Sequence, residues 1–447
     1  MKSSIYNIYK RGKSGYLLLN TLTNATSHID EEIKRLLEEN PDEIPDKILE
    51  VFLENGFVVE DNCDERKVLA YHFDRDKYNI FPSDLAYTAV MTYSCNLRCP
   101  YCYQGSKKDT ETLNSGKVDI LLKNIDGNLS KKNFKAFELT LYGGEPLLAY
   151  HECVRLMEGA SKICDHQNKE FKGKIITNGV LINEEVIDTL LKPYCNSIQI
   201  TMDGGREAHN KRRIYKDGRG TYDTLLDVLE LLRDTNINLT LKLNLDRENV
   251  DTFSELSRDL IDRGLGNIKK SLGRIHPPAA EKVGKIYASY AKKCISSEEM
   301  TDFYDKIYKK MVDMKIIRKL PENLRHSPCV FDREDAYVVD PYLDLYNCCE
   351  FLGRKDKKVG YINRNGEMVF NYEYYEQMSR NPLEFEECRD CKFLPLCGGG
   401  CAAYAYIENG TYHSSPCRKD QYRFQKYMDR VNNIMEEMLL SLSGSET

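Results

Sequence analysis

Several features that would fix a cell compartment or a partner are absent from this sequence. No apolar run in the 447 residues approaches the roughly 20 residues of a membrane span, so we expect no membrane association. The first 20 residues lack an apolar stretch followed by a small-residue cleavage site, which predicts a cytoplasmic protein without an export signal. The formal net charge is -6, so nucleic acid is not an expected partner. We find no internal repeat and no low-complexity segment.

Cysteine, in contrast, is abundant. The chain has 16 cysteines, and a reducing cytosol disfavours disulfides, which leaves metal or cluster ligation as their expected use. Their spacing therefore carries the functional information.

The length suggests about three domains. Residues 1–83 contain β-rich runs, two helical segments and a closing strand, which predicts a small winged-helix-like unit. In residues 84–285, strand-like runs alternate with amphipathic segments, as in a parallel α/β fold, either open or closed into a barrel. Residues 286–325 are expected to form a helical bridge. Residues 326–447 hold the densest cysteines and a closing helix from 418 to about 441.

The first cysteine group follows the strand-like run LAYTAVMTY. Cys95, Cys99 and Cys102 are separated by three and then two residues. Three thiolates of one loop suit three irons of a cubane and leave the fourth iron open to a small ligand. The alternative is a zinc knuckle, but a structural zinc site takes four ligands and no local fourth Cys or His is present.

This CxxxCxxC pattern, with the aromatic Tyr101 before its last cysteine, resembles the cluster motif of the radical S-adenosylmethionine (SAM) superfamily. The resemblance implies a partial (β/α)6 TIM-like barrel in which SAM chelates the open iron of a 4Fe-4S cluster. Its cleavage would give a 5'-deoxyadenosyl radical that abstracts a hydrogen atom. The cofactor supplies that chemistry, and the protein supplies position and exclusion of water.

Further strand ends resemble the SAM-binding stretches of the same superfamily. LTLYGGEP resembles the GGE motif, which binds the SAM amino group, and IITNG and ITMDG resemble the stretches that line its ribose and methionine. Arg213 is a candidate for the SAM carboxylate. The resulting candidate SAM contacts are Tyr101, Gly143, Gly144, Glu145, Pro146, Thr177, Asn178, Thr201, Asp203, Arg213 and Asn244.

A second cysteine group lies towards the end of the chain. Its members are Cys329, Cys348, Cys349, Cys388, Cys391, Cys397, Cys401 and Cys417. The run Gly398 to Gly400 would let the backbone wrap tightly around an inorganic core. Spacing alone leaves one or two zinc sites as an alternative.

The order of these cysteines resembles the SPASM domain, the auxiliary-cluster extension of radical SAM peptide and protein maturases. The resemblance implies three 4Fe-4S clusters in all. The first auxiliary cluster would take Cys329, Cys348 and Cys401, and the second would take Cys388, Cys391, Cys397 and Cys417. This chain has Leu343 where the family usually has Gly. The fourth ligand of the first auxiliary cluster is unassigned, and Cys349 is a candidate for it.

The N-terminal unit resembles the leader-recognition (RRE, PqqD-like) domain of enzymes that modify ribosomally made peptides. Acidic residues outnumber basic ones across residues 1–60, which disfavours DNA binding by a winged helix. A precursor leader could instead add a strand to an exposed sheet edge. The alternative is an inert stability domain.

The expected function is therefore maturation of a ribosomal precursor peptide, by a thioether or carbon-carbon crosslink or an epimerised centre, with flavodoxin or ferredoxin as reductant. The alternative is oxidation of a Cys or Ser in a protein substrate, as anaerobic sulfatase maturases do. In that family an Asp follows the second auxiliary cysteine, where this chain has Cys349. An electron-carrier role is disfavoured by the GGEP motif.

Overall fold

The computed structural model describes residues 1–13, 15–78, 84–102, 109–275, 290–295, 299, 329–417, 428–429 and 432. Most of the predicted bridge at 286–325 and most of the closing helix at 418–441 lie outside these residues. The chain forms two compact units. The first comprises Met1–Tyr78, Ser297–Cys329 and Arg380–Thr447, and the second comprises Asn79–Ser296 and Val330–Ser379.

A ten-stranded sheet organises the second unit. Six strands, from β6 (Asp84–Thr92) to β11 (Lys269–Arg274), run parallel and in chain order across it, and a seventh, β12 (Ala336–Val339), adds in parallel beside β6. Three further strands, β13 (Asp344–Tyr346), β14 (Gly360–Ile362) and β15 (Met368–Phe370), continue the sheet antiparallel beyond β12. The strands between β6 and β11 are β7 (Ala136–Gly143), β8 (Glu170–Thr177), β9 (Ser197–Thr201) and β10 (Asn238–Leu245). The prediction of a mostly parallel α/β fold is confirmed.

Helices connect the parallel strands, as expected for βαβ units. They are α4 (Ser115–Leu129), α5 (Tyr150–His166), the short α6 (Glu184–Val186) and α7 (Lys192–Tyr194), α8 (Arg206–Arg212), α9 (Tyr222–Arg233), α10 (Phe253–Asp262) and, after β15, α11 (Tyr372–Met378). Helix α5 packs on β7 and β8. Every second residue of β10, from Leu241 to Leu245, is buried, so one face of the sheet forms the apolar core and the alternating face carries polar side chains.

The turn between β12 and β13 has an unusual backbone. Leu343 adopts a φ of +67°, a left-handed conformation that only Gly adopts without cost. Its side chain is nonetheless buried. The position at which the family usually has Gly therefore has the backbone conformation that favours Gly, and the burial of Leu343 offsets part of the cost.

The first unit contains the N-terminal elements. Strands β1 (Lys2–Ser3) and β5 (Val58–Val59) pair antiparallel, and β2 (Asn7–Arg11), β3 (Tyr16–Asn20) and β4 (Thr26–Ile29) form a three-stranded antiparallel sheet. The helices are α1 (Glu31–Glu39), α2 (Asp46–Glu54) and α3 (Glu65–Tyr78). Helix α1 begins after Asp30, whose carboxylate accepts a hydrogen bond from the Ile33 amide at 2.8 Å. The predicted strands and the first two helices of this segment are thus present.

The same unit holds α12 (Leu394–Cys397) and α13 (Ala402–Asn409). Tyr6 and Leu69 from the N-terminal segment are buried in one apolar cluster with Phe385, Cys388 and Leu394. In addition, the Lys392 ammonium donates to the Asn7 carbonyl at 3.1 Å. The N-terminal segment and the last cysteines therefore share a core. Among the described residues, no helix combines the length and apolarity that crossing a membrane requires.

Candidate active site

The first cysteine group lies in the loop that follows β6. The Arg98 amide donates to the Ile214 carbonyl at 2.8 Å, and Leu97 forms an isolated antiparallel bridge with Tyr215. The loop is thus tied to the segment that follows α8, although the two are far apart in sequence.

The three thiols of this loop are close enough to influence one another. The pKa of Cys99 is raised to about 12, chiefly by burial; the charge of Arg213 opposes this shift, and the charges of Cys102 and Cys95 contribute to it. Burial also raises the pKa of Cys95, with Cys102 adding to the effect. Within the described part of the chain, no three His, Cys, Asp or Glu side chains are arranged as a ready metal site. The match between this loop and an iron-sulfur cluster therefore rests on the chemistry of its three thiols, because neighbouring cysteine thiolates are the usual ligands of cluster iron.

Gly143 and Gly144 lie directly against the backbone that leads into this loop. A Cβ atom on Gly143 would lie 2.4 Å from the Thr92 carbonyl oxygen, and one on Gly144 would lie 2.3 Å from that of Ser94. Gly143 also has a φ of +144°. Both positions therefore exclude side chains, which lets the end of β7 pack against the cysteine loop.

Glu145 follows these glycines and is completely buried. Its Oε1 accepts hydrogen bonds from the Thr177 hydroxyl at 2.7 Å and the Leu147 amide at 3.0 Å, and its Oε2 accepts one from the Asn178 amide at 2.8 Å. Burial raises its pKa, and these hydrogen bonds oppose the shift. A carboxylate accepts about four hydrogen bonds, so Oε2 keeps one position for a ligand.

Three other predicted residues meet around Tyr101. The Tyr101 hydroxyl donates to the Asp203 carboxylate, and the Arg213 guanidinium donates to the Tyr101 oxygen at 3.0 Å. Asp203 also accepts from the Asn244 amide at 3.2 Å. All but Asn244 are buried, and Nε of Arg213 has no hydrogen-bond partner in the described structure. A buried donor without a partner marks a place where a ligand oxygen is expected.

The remaining predicted contacts are distributed around this centre. The Asn178 side-chain amide donates to Asn96 at 2.8 Å, inside the cysteine loop. Thr201 ends β9 and pairs in register with Lys242 of β10. Pro146 begins a short 3-10 turn after Glu145.

Sequence reasoning missed a buried histidine that supports this centre. Nδ1 of His209 accepts from the Asp203 amide at 3.2 Å, and its Nε2 contacts the Thr221 hydroxyl at 2.9 Å. Thr221 in turn donates to the Arg213 carbonyl at 2.8 Å. Burial, followed by the charges of Arg213 and Arg212, holds the pKa of His209 well below its usual value. The neutral ring therefore connects Asp203 to the backbone of Arg213.

A buried ion pair was also missed. Arg212 donates to both oxygens of Asp246, at 2.6 and 2.9 Å, and both side chains are almost fully buried. The Tyr290 hydroxyl donates to the same carboxylate, and its ring centroid lies 5.8 Å from that of Tyr101. The only sequence signal was the basic pair at 212 and 213, which does not indicate a partner more than thirty residues away.

The later cysteines include a second close group, located within the first unit. The pKa of Cys397 is raised to about 11, chiefly by burial; a hydrogen bond from the Gly400 amide opposes this shift, and the charges of Cys388, Cys417 and Cys391 contribute to it. Burial also raises the pKa of Cys388, again with contributions from Cys391 and Cys417. These four thiols are the set predicted for the second auxiliary cluster.

The three glycines that follow Cys397 all have a left-handed backbone conformation. Gly398, Gly399 and Gly400 have φ values of +60°, +75° and +76°, which L-residues with side chains rarely adopt. Nη2 of Arg380 donates to the Gly399 and Gly400 carbonyls at 2.8 and 3.0 Å. The Gly399 and Gly400 carbonyls are thus held by Arg380, while the Gly400 amide donates to the Cys397 carbonyl at 3.3 Å.

The other four predicted ligands are divided between the units. Cys329 and Cys401 belong to the first unit, and Cys348 and Cys349 belong to the second. Cys348 has an extended backbone, with φ -151° and ψ 137°, and Cys349 begins a short 3-10 helix. The ligand set of the first auxiliary cluster remains a prediction.

Comparisons with known proteins assign a family to part of the chain. Residues 89–260 match the radical SAM superfamily. The cysteine-type anaerobic sulfatase-maturating enzyme of Clostridium perfringens is 23% identical over 76% of this chain and 96% of its own. The subtilosin biosynthesis protein AlbA of Bacillus subtilis is 24% identical over 72% of this chain and 68% of its own.

The fold also resembles a solved structure. Streptococcus suis SuiB bound to its precursor peptide SuiA superposes with a TM-score of 0.55, covering 93% of this chain and 99% of SuiB at 14% identity. At that identity the likeness concerns the fold. The cysteine loop, the GGE strand end and the family match together identify residues 89–260 as a radical SAM domain, and the chain is an enzyme.

Proposed function

We propose that this protein is a radical SAM maturase that modifies a ribosomally synthesised precursor peptide, with a thioether crosslink as the favoured product and a carbon-carbon crosslink as the second. The observation that carries the proposal is the convergence of the Cys95 to Cys102 loop, Glu145 and the Tyr101–Asp203–Arg213 contacts at one end of the parallel strands. Ligands of α/β sheets bind at this edge.

The proposed cofactors are SAM and three 4Fe-4S clusters. Bound at the first cluster, SAM supplies a 5'-deoxyadenosyl radical for hydrogen abstraction. Cys95, Cys99 and Cys102 would hold that cluster as thiolates, and the positive charge of Arg213 lowers the cost of ionising Cys99. The polypeptide's task is to bind, orient and exclude water.

Individual side chains have distinct tasks in this proposal. The free acceptor position on Glu145 would take the SAM ammonium group, since its other positions are filled by the protein. The unpartnered Nε of Arg213 would donate to the SAM carboxylate. Asp203 would hold Tyr101 in place against the loop, with Thr177, Asn178, Thr201 and Asn244 around it.

The thioether preference depends on Cys349. The family pattern assigns Cys348 to this cluster, and the backbone changes from extended at Cys348 to 3-10 helical at Cys349. We therefore take Cys348 alone as the ligand from this pair. An iron without a fourth protein ligand could bind a substrate thiolate. The second auxiliary cluster would be held by Cys388, Cys391, Cys397 and Cys417. The assignment is supported by the contributions of Cys391 and Cys417 to the raised pKa values of Cys388 and Cys397.

Residues 1–83 would recognise the leader of the precursor. Support comes from the three-stranded sheet β2 to β4, which offers an edge for strand addition, and from SuiB, a protein of similar fold that binds a precursor peptide. Flavodoxin or ferredoxin would deliver the electron.

A second candidate function is oxidation of a Cys or Ser in a protein substrate. It is favoured by the similarity to a sulfatase-maturating enzyme over most of the chain. It is disfavoured by Cys349, because that family has an Asp, the expected base, at this position.

Co-expression with short peptides encoded in neighbouring reading frames, followed by mass spectrometry and thiol alkylation, separates these outcomes. We expect a peptide that has lost two hydrogen atoms and an alkylatable thiol for each crosslink. Loss of two hydrogens with all thiols retained would indicate a carbon-carbon bond. Unmodified peptides together with formylglycine in a co-expressed sulfatase would contradict the proposal in favour of the second function.

A further inference from the structure

A lysine beside the proposed SAM site is not used by that proposal. Lys242 lies in the middle of β10, on the polar face of the sheet opposite the buried Leu241 and Leu243. In register it pairs with Thr201 of β9 and with Ser271 of β11. Asn244 is two residues further along the same face, and its backbone N–H donates to the Asp203 carboxylate. Relative to the predicted SAM contacts, Lys242 is therefore level with Thr201 and two residues deeper in the sheet than Asn244.

Among the residues that the structure describes, this ammonium group has no compensating charge. Within the same residues, its Nζ makes only two long hydrogen bonds, to the Leu272 carbonyl at 3.3 Å and the Ser271 hydroxyl at 3.5 Å. No carboxylate of the described residues forms an ion pair with it. Burial lowers its pKa, as expected for a half-buried ammonium without a counterion. Such a group is stabilised by an anion that enters with a ligand.

The neighbouring strand is shaped to accommodate this side chain. Asn244 of β10 pairs with Gly273 of β11. A Cβ on Gly273 would lie 2.5 Å from Cε and 2.9 Å from Nζ of Lys242, and 3.0 Å from Oδ1 of Asn244. Because residue 273 is Gly, the ammonium group of Lys242 and the side-chain amide of Asn244 can lie next to each other against its backbone.

We propose that Lys242 and Asn244, with the backbone at Gly273, form a subsite that binds a carboxylate of the peptide substrate. This inference rests on the proposed function and adds a substrate feature to it, namely an acidic side chain or C-terminus close to the residue that is modified. A substrate carboxylate there would neutralise the positive charge of Lys242 and would fix the position of the peptide relative to SAM.

The test uses anaerobic holoenzyme with SAM and two probes, N-acetylglutamate N-methylamide and its neutral analogue N-acetylglutamine N-methylamide. Ligand-observed NMR should detect binding of the glutamate probe only. Lys242→Met should weaken that binding at least tenfold. Lys174→Met is the matched control, because Lys174 lies on the same polar face at β8, and it should change the affinity less than twofold.

A carboxylate could also come from SAM itself, and a second measurement separates the two sources. We expect the dissociation constant of SAM to change less than twofold in Lys242→Met. A tenfold weakening of SAM binding would assign the subsite to SAM and overturn the inference, as would equal binding of both probes or no binding of either. Formation of 5'-deoxyadenosine by the wild-type enzyme without peptide shows separately whether the proposed function holds.

Discussion

The hydroxyl of Tyr93 donates a hydrogen bond to Oδ2 of Asp340 at 2.9 Å, and both side chains are buried. Tyr93 precedes the cysteine loop, and Asp340 begins the turn that contains Leu343. The other oxygen of Asp340 accepts from the amides of Tyr342 at 2.8 Å and Asp344 at 3.0 Å. One carboxylate thus joins the start of the cysteine loop to the β12–β13 turn.

Asp340 should make stability depend on pH. Burial raises its pKa from the usual value of 3.8 to about 6, and its hydrogen bonds oppose the shift. The folded state therefore binds this proton more tightly, and stability falls as pH rises from about 4 through about 6. Asp340→Asn removes the effect, so the unfolding free energy of the variant relative to wild type, followed by thermal unfolding, should rise by on the order of 2 kcal/mol between pH 4 and pH 7.

Tyr93→Phe is the companion variant for Asp340→Asn. Loss of the donated hydrogen bond should raise the pKa of Asp340 further and move the fall in stability to higher pH. Wild type and Asp340→Asn with parallel pH profiles would show that Asp340 does not titrate in this range.

Gly144→Ala should disturb the cysteine loop. The added methyl group would meet the carbonyls of Ser94 and Tyr93 at 2.3 and 2.7 Å, so the loop must move. We expect lower iron content and loss of SAM cleavage. The matched control is Gly127→Ala in helix α4, where nothing lies within 4 Å. It should stabilise the protein by about 0.5–1 kcal/mol without loss of iron. Full activity in Gly144→Ala would contradict the close packing of Gly144 against the carbonyls of Ser94 and Tyr93.

Cys349→Ala tests the ligand count of the first auxiliary cluster. We expect all three clusters and substantial peptide modification to survive, because Cys348 alone is assigned to the cluster from this pair. Electron paramagnetic resonance of the reduced enzyme and iron analysis measure the outcome. Loss of the first auxiliary signal would make Cys349 a ligand and shift the expected product from a thioether to a carbon-carbon bond.

Deletion of residues 1–82 tests leader recognition. Precursor binding and modification should weaken, while SAM cleavage without peptide should persist, because Cys95, Glu145 and Arg213 all lie in the second unit. The shared core of Tyr6, Leu69 and Cys388 predicts a further effect, which is a partial loss of iron from the second auxiliary cluster. Undiminished affinity of the truncated enzyme for its precursor would contradict the recognition role.

Local sequence signals predicted the alternating strands and helices of the parallel sheet, helices α1 and α2, and the glycines beside Glu145, because periodicity, capping and close backbone approach depend on neighbouring residues. The missed features join distant positions. His209 supports Asp203 and Arg213, and Arg212 meets Asp246, only after the strands have assembled. Lys242 was missed for a related reason, since a lysine in an alternating strand resembles an exposed residue until burial is known.

The left-handed Leu343 shows another limit of local reasoning. Comparison with the family pattern showed that a Gly was missing, but the side-chain burial that offsets the backbone cost depends on residues elsewhere in the chain.

The most direct test of the central claim is the amount of 5'-deoxyadenosine formed by reduced, anaerobically reconstituted enzyme given SAM. We predict that wild type, with about twelve irons in three cubanes, forms it. The variant with Ala at positions 95, 99 and 102 should retain about eight irons and form none. Stoichiometric zinc in place of iron in the wild-type enzyme, or equal 5'-deoxyadenosine from both proteins, would contradict the account.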